Sequence, residues 1–157
     1  MPAPLMHEEG EANLLLYLPT NFRIGALNVR SLNSTGDYSL SISKINWILS
    51  QNLDVVLLSE LKMTSPTRLS LINQYLAANS YGSHNLIINS SMNSRGVAIL
   101  INKNLPLTIH ETFKDPKENF LLLSCTIASA KFTLGAVYNP TINAIDTITD
   151  LKNQLVN

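Results

Sequence analysis

The segment DVVLLSELKM, residues 54–63, constrains the fold more than any other part of the chain. Its four consecutive apolar residues, 55–58, are typical of a short strand that is buried on both faces of a sheet. The end of such a strand is an unfavourable place for a carboxylate, because burying an unpaired charge costs free energy. Glu60 nevertheless follows this run closely. We therefore expect Glu60 to lie at a sheet edge, where a partner offsets its charge.

A second strand with a polar end is predicted upstream. FRIGALNV, residues 22–29, has the apolar and β-branched composition of a buried strand and carries Asn28 near its end. Between the two strands, residues 41–52 place apolar side chains at helical spacing, with Ser39 or Ser41 as a possible N-cap. A strand–helix–strand unit of this kind is usually parallel, and its functional groups lie at the carboxyl ends of the strands.

If the two strands are neighbours, Asn28 and Glu60 emerge at the same edge of one sheet. An amide oxygen and a carboxylate suit a hard cation such as Mg²⁺ or Mn²⁺. Because Mg²⁺ keeps several waters, one carboxylate with one helper is chemically sufficient. The alternative is structural: Asn28 caps a turn, and Glu60 is simply solvated at a strand end.

The rest of the chain predicts a mixed α/β domain that is rich in antiparallel strands. Residues 64–79 indicate a second helix, with Ser65 as its N-cap and Pro66 at its first position. The second half contains short apolar segments separated by turn signals, with hairpin connections expected at 89–96 and 128–131. A last helix is expected near the end of the sequence.

Composition narrows the possible classes of protein. Lys+Arg and Asp+Glu are both 11, so no global field attracts nucleic acid, although a local patch or a bound cation can supply positive charge. The single cysteine, Cys125, excludes an intrachain disulfide and is interpreted as a core residue.

Neither an apolar run of about 18 residues nor a basic secretory leader is present, so an intracellular location, nuclear or cytoplasmic, is expected. Residues 1–20 are interpreted as a weakly ordered lead-in and residues 21–157 as one partial domain.

Further candidates lie beside the predicted strand ends. Tyr138 closes the strand KFTLGAVY, where a phenol can donate to a phosphate oxygen. Asn139 follows it, and Arg30 and Lys62 lie just beyond the first two strand ends, so all three are candidates for binding phosphate or DNA. The alternatives are an amphipathic tyrosine at the core boundary and solvated polar side chains.

Together these residues resemble the endonuclease/exonuclease/phosphatase superfamily. The resemblance is greatest to the apurinic-endonuclease-like domains of LINE-type (non-LTR) retrotransposons, and it covers about residues 21 to 157. It rests on four stretches in the order of the family: RIGALNVRSLNS with Asn28, DVVLLSELK with Glu60, SRGVAILINK from Ser94, and LGAVYNP with Tyr138.

The resemblance implies an α/β (α+β) chain that forms the N-terminal portion of a four-layer α/β/β/α sandwich, two sheets packed face to face with helices outside. It also implies hydrolysis of phosphodiesters in DNA with Mg²⁺ or Mn²⁺, and neither a membrane nor a small organic cofactor. By position, Glu60 matches a metal ligand and Asn28 a residue of the metal and phosphate network. The resemblance implies catalytic roles for Asn28 and Tyr138, and Tyr138 matches a residue that contacts the scissile phosphate or assists the active-site network. Lys62 matches a position that is often basic.

The departures from the family are equally informative. Ser59 stands where the family usually has Gln, and Arg30 stands where many relatives carry an acidic or polar residue. The G-D-F-N-like and Ser-Asp-His segments of the family are missing, and none of the histidines, His7, His84 and His110, matches the catalytic position. We therefore expect a C-terminally truncated domain that is weak or inactive. The alternatives are a non-catalytic retroelement fragment that binds nucleic acid or a partner and, less favoured, a phosphatase of small phosphoesters.

Overall fold

A computed structural model describes residues 23–33, 38–140 and 144–156. The elements in chain order are β1 (Ile24–Asn28), α1 (Tyr38–Ser50), β2 (Val55–Ser59), α2 (Pro66–Ala77), β3 (His84–Asn89), β4 (Val97–Asn102), β5 (Leu107–Lys114), β6 (Phe120–Ile127), β7 (Ala130–Val137) and α3 (Ala144–Val156). The predicted lead-in, residues 1–20, lies outside the described residues. None of the helices in the described ranges is long and apolar enough to cross a membrane.

The described strands form two sheets. The first has the order β1-β2-β4-β3, with β1 and β2 parallel and the other pairs antiparallel. The second has the order β5-β6-β7 and is antiparallel throughout. Antiparallel neighbours need only short connections. The connections expected at 89–96 and 128–131 are observed at residues 90–96, between β3 and β4, and at residues 128–129, between β6 and β7.

Two apolar layers hold these elements together, and β4 contributes to both. Its alternate residues Ala98 and Leu100 lie in the layer between the first sheet and helices α1 and α2. Ile99 and its neighbours on the opposite face lie in the layer between the two sheets, with Leu121 and Leu123 of β6. This period of two on a strand covered on both faces explains why the segment is almost wholly apolar in sequence.

Several local expectations are confirmed. Helix α2 begins at Pro66, and the Ser65 side chain caps it by accepting from the Arg68 backbone N–H at 3.2 Å. Cys125 is a buried core residue, as the apolar run around it indicated.

Two local expectations are wrong. Strand β1 is not buried on both faces, because it lies at the edge of the first sheet as the structure describes it and alternates between exposed and half-buried residues. Neither Ser39 nor Ser41 is the N-cap of α1, since the helix already begins at Tyr38. Ser41 instead lies buried in the first turn, where its hydroxyl donates to the Leu32 carbonyl at 2.6 Å.

Candidate functional site

The structure brings Asn28 and Glu60 together at the carboxyl ends of β1 and β2. The two strands are parallel neighbours with Asn28 opposite Ser59, so both chains leave the sheet at the same edge. The Asn28 Nδ2 donates to Glu60 Oε2 at 2.5 Å. The amide donates and the carboxylate oxygen accepts, so the bond joins the two polar side chains directly. It orients the Glu60 carboxylate at the sheet edge.

The backbone on both sides of this pair adopts a rarely populated conformation. Arg30 and Ser31 after β1 have φ of 51° and 78°, and Glu60 and Lys62 after β2 have φ of 57° and 53°. Left-handed backbone costs non-glycine residues free energy and persists only where surrounding contacts enforce it. One such contact joins the two segments, since the Ser31 N–H donates to the Glu60 carbonyl at 2.7 Å. Non-glycine residues in this conformation cluster at functional sites.

The β3–β4 connection supports the Glu60 segment from the other side. The Lys62 N–H donates to the Arg95 carbonyl at 2.8 Å, and the Met63 N–H donates to Ser90 Oγ at 2.9 Å. Gly96 has φ of 116°, and a Cβ at this position would lie only 2.1 Å from Ser90 Oγ. The glycine of the SRGVAILINK stretch is therefore required both for its backbone conformation and for this close approach.

Glu118, between β5 and β6, holds the same connection in place. Its carboxylate accepts hydrogen bonds from the Ser91 N–H at 2.8 Å, from the Met92 N–H at 3.1 Å and from the Ser91 hydroxyl. Burial alone would raise the pKa of this carboxyl. The hydrogen bonds from Ser91 and Met92, together with the charge of Arg95, outweigh that effect and hold the pKa of Glu118 below its ordinary value.

The Glu60 carboxylate is the negatively charged group of this pair and the candidate ligand for a cation. Lys62 Nζ lies 3.7 Å from Glu60 Oε1, and the side chains are 34% and 21% exposed respectively. Among the described residues no group of three or more His, Cys, Asp or Glu side chains is placed to hold a metal ion. The donor set is therefore one carboxylate supported by an amide, which fits a Mg²⁺ ion that retains most of its water. At 3.7 Å the Lys62 ammonium lies beyond hydrogen-bonding distance of Glu60 Oε1, so it does not satisfy that oxygen.

The side chains of three other sequence-derived candidates, Tyr138, Arg30 and Asn139, make no bond to this pair within the described residues. Tyr138 directly follows β7 and is half-buried against the layer between the sheets, and its N–H donates to the Asn119 carbonyl at 2.7 Å. Asn28 shares a surface groove of about 370 Å³ with Val137, so the end of β7 lies beside the candidate site. Arg30 and Asn139 are exposed. Within the described ranges, no hydrogen bond or ion pair joins the side chains of these three candidates to Asn28 or Glu60.

The described histidines do not lie at this edge. His84 begins β3 opposite Asn102, at the end of the first sheet away from Ser59 and Val97. Burial lowers the pKa of His84 despite its hydrogen bond to a backbone carbonyl. His110 lies within β5, where it is exposed, and its Nε2 forms a hydrogen bond with Thr126 Oγ1 at 2.9 Å. His7 lies outside the described residues.

Sequence reasoning missed three residues that shape the site. Lys44 on α1 contacts the segment after β1, Ser90 supports the segment after β2, and Glu118 holds the β3–β4 connection. Lys44 has the appearance of a solvated helix residue in the sequence. Ser90 lies a few residues before the SRG stretch in the sequence, and this closeness is the signal that could have indicated its contact with the Glu60 segment.

Two packed sheets with helices on the outside define the class: the chain has the endonuclease/exonuclease/phosphatase-like fold. It is similar to TDP2 from D. rerio, solved with a single strand DNA product, with a TM-score of 0.60 and 16% identity over 87% of this chain and 54% of that one. AP endonuclease LMAP from Leishmania major gives a TM-score of 0.54 and 15% identity over 76% of this chain and 40% of that one. Truncated TDP2 from Caenorhabditis elegans gives a TM-score of 0.54 and 13% identity over 85% of this chain and 57% of that one.

The likeness therefore lies in the fold, at low sequence identity. The chain spans about half the length of the solved structures it matches. No protein-family model and no curated protein sequence matches it.

Proposed function

We propose that this chain belongs to a divalent-metal-dependent phosphodiester hydrolase that acts on DNA and derives from a LINE-type retrotransposon. The observation that carries the proposal is the Asn28–Glu60 hydrogen bond at the carboxyl edge of β1 and β2. The fold supports it, because the similar proteins include an AP endonuclease and a TDP2 solved with single strand DNA. The retroelement origin rests on the four sequence stretches that resemble those domains.

Glu60 and Asn28 are the residues that would hold the ion. When bound, a Mg²⁺ or Mn²⁺ ion polarises a phosphoryl oxygen and shields the charge that develops during hydrolysis. Glu60 Oε1 is the oxygen that would bind the ion, because its one ion pair in the described part of the chain is with the partly buried Lys62 ammonium at 3.7 Å. Asn28 Oδ1 already accepts the Arg30 N–H at 3.0 Å, so the arrangement favours Glu60 as the direct ligand and Asn28 as its orienting donor.

Phosphate contacts would come from the groups around this pair. The Asn28 amide has a second N–H that is not needed for Glu60, and this proton is available to a phosphate oxygen. Lys62 and Arg30 add positive charge beside the same edge, and Tyr138 and Asn139 add a phenol and an amide at the end of β7. These residues bind and orient the substrate in the proposal.

Activity of this chain by itself is proposed to be weak. Hydrolysis also requires a positioned base or nucleophile, and neither His84 nor His110 lies at the edge that carries Glu60. The alternative function is a non-catalytic module that binds nucleic acid. An intracellular location, nuclear or cytoplasmic, is part of both proposals.

The test is nicking of supercoiled plasmid DNA in the presence of Mg²⁺, with Glu60→Gln as the active-site variant. Glu111→Gln is the matched control, because Glu111 is an exposed carboxylate on β5. We expect slow nicking by the wild type that EDTA abolishes. Glu60→Gln should lose about 10²-fold or more in rate, whereas Glu111→Gln should match the wild type.

The two functions differ in their outcomes. If folded wild-type protein does not nick DNA but binds it with an affinity that falls steeply with salt, the result supports the non-catalytic binding function and refutes the hydrolase function. If nicking persists in EDTA or in Glu60→Gln, the assignment of the metal site to Glu60 is wrong.

A further inference from the structure

Lys44 on α1 directs its ammonium at the backbone that follows β1. Its Nζ donates to the carbonyl oxygens of Val29 at 3.0 Å, Arg30 at 3.1 Å and Ser31 at 2.7 Å. A lysine ammonium has three N–H donors and no acceptor. All three donors are therefore used on three consecutive carbonyls, and this accounts fully for the hydrogen-bonding capacity of the group.

The three carbonyls converge on one point in a segment whose backbone is left-handed. Arg30 and Ser31 have φ of 51° and 78°. Neither is glycine, so this conformation is strained, and the converging carbonyl dipoles add mutual repulsion. A positive charge at the point of convergence offsets both costs. The Lys44 ammonium occupies that point.

The same segment fixes the orientation of the Asn28 amide. The Arg30 N–H donates to Asn28 Oδ1 at 3.0 Å, which leaves Asn28 Nδ2 to face Glu60 Oε2 at 2.5 Å. The Ser31 N–H donates to the Glu60 carbonyl at 2.7 Å. A change in the backbone at Arg30 would therefore release the Asn28 amide and loosen its hold on Glu60.

The charge of Lys44 is available to the site as well. Among the described residues no carboxylate lies within 4.0 Å of the Lys44 ammonium, since the ion pairs found there involve Lys62 and Lys117. Lys44 and Asn28 line the same surface groove, of about 290 Å³. Within the described ranges this ammonium is bonded to neutral carbonyl oxygens, so its positive charge favours an anion such as a phosphodiester beside Asn28.

We infer that Lys44 is a positioning residue of the candidate site: its ammonium holds the left-handed backbone of residues 29–31 and thereby aims the Asn28 amide at Glu60. The inference deepens the proposed function, because it rests on the Asn28–Glu60 pair being the working part of the site. Within the described residues the Lys44 ammonium bonds to neither side chain of that pair, and it acts through the Arg30 backbone.

The test compares Lys44→Met and Lys44→Arg with Lys152→Met, which removes an exposed lysine of α3. The first readout requires no activity. It is the side-chain amide signal of Asn28 in ¹H–¹⁵N spectra, which is expected downfield and slow to exchange in the wild type because a carboxylate accepts its proton. The second readout is plasmid nicking with Mg²⁺.

Lys44→Met is expected to move the Asn28 amide signal to the position of a free amide and to slow nicking by about 10²-fold, the cost of misplacing a catalytic group. Lys44→Arg keeps the charge, but a planar guanidinium does not offer three N–H donors on one nitrogen to the three carbonyls, so it should behave in the same way. Lys152→Met should match the wild type in both readouts.

An unchanged Asn28 signal in either folded Lys44 variant would overturn the inference, as would a wild-type signal typical of a free amide. Failure of the wild type to nick DNA would refute the proposed hydrolase function. The side-chain amide signal of Asn28 would still decide whether Lys44 is a positioning residue. If Lys44→Met does not fold, Lys44→Arg provides the same comparison.

Discussion

Replacing Gly96 by alanine tests the packing that holds the Glu60 segment, and Gly82 provides a matched control. Both glycines have left-handed φ, 116° and 99°, so an alanine at either position meets the same kind of backbone strain, about 1–2 kcal/mol. Both substitutions also reduce the freedom of the unfolded chain equally. These contributions cancel when the two variants are compared.

The remaining difference is the contact that only Gly96 makes. A Cβ there would lie 2.1 Å from Ser90 Oγ and 2.6 Å from Ser90 Cβ, so rotating the hydroxyl does not relieve the clash. At Gly82 nothing lies within 4 Å. Ser90 must shift, and its hydrogen bond from the Met63 N–H is lost. Overpacking together with that lost bond costs about 2–4 kcal/mol.

The assay is urea and thermal unfolding followed by circular dichroism. We expect the melting temperature of Gly96→Ala to lie about 5–15 °C below that of Gly82→Ala, given about 2–4 °C for each kcal/mol in a chain of this size. Equal stabilities of the two variants would refute the reasoning. They would mean that the Ser90 contact does not constrain the backbone before β4.

Two further outcomes are expected. The folded pKa of Glu118 is lowered, so its stabilising contribution is present at neutral pH and is lost as the pH falls below the unfolded value of about 4.5 through the folded one. The unfolding free energy of the wild type should therefore fall more steeply in acid than that of Glu118→Gln, and parallel curves would contradict the carboxylate contacts. Burial raises the pKa of the Cys125 thiol, and the residue is only 1% exposed. A thiol reagent should label it only after denaturation, and rapid labelling of the native protein would argue against this core.

Much of the fold follows from local pattern. The strands of the second half alternate with turn signals, and α2 carries both a serine cap and a proline at its start. The exposure of β1 does not follow from its residues, because it depends on which strands flank it. The start of α1 was misplaced because Ser41 finds tertiary partners, Leu32 and Arg68, inside the helix rather than capping it.

The sequence allowed us to predict the Asn28–Glu60 pair, but not the residues that hold the backbone around it. Asn28 and Glu60 stand out in the sequence because each interrupts an apolar strand at its end. The role of Lys44 depends on left-handed backbone at Arg30 and Ser31, and neither residue signals that conformation as a glycine would. Glu118 reaches its partners from between two other strands, a contact that no local pattern encodes.

The proposed function assigns the binding of a divalent cation at the edge of β1 and β2 to Glu60. Titration of the ¹⁵N-labelled protein with Mn²⁺ tests it directly, because the paramagnetic ion broadens the amide signals nearest to it. We expect broadening of the signals of Asn28 and Ser31 in the wild type and in Glu111→Gln, and none in Glu60→Gln. Broadening that survives in Glu60→Gln, or that centres on another part of the chain, would contradict the claim.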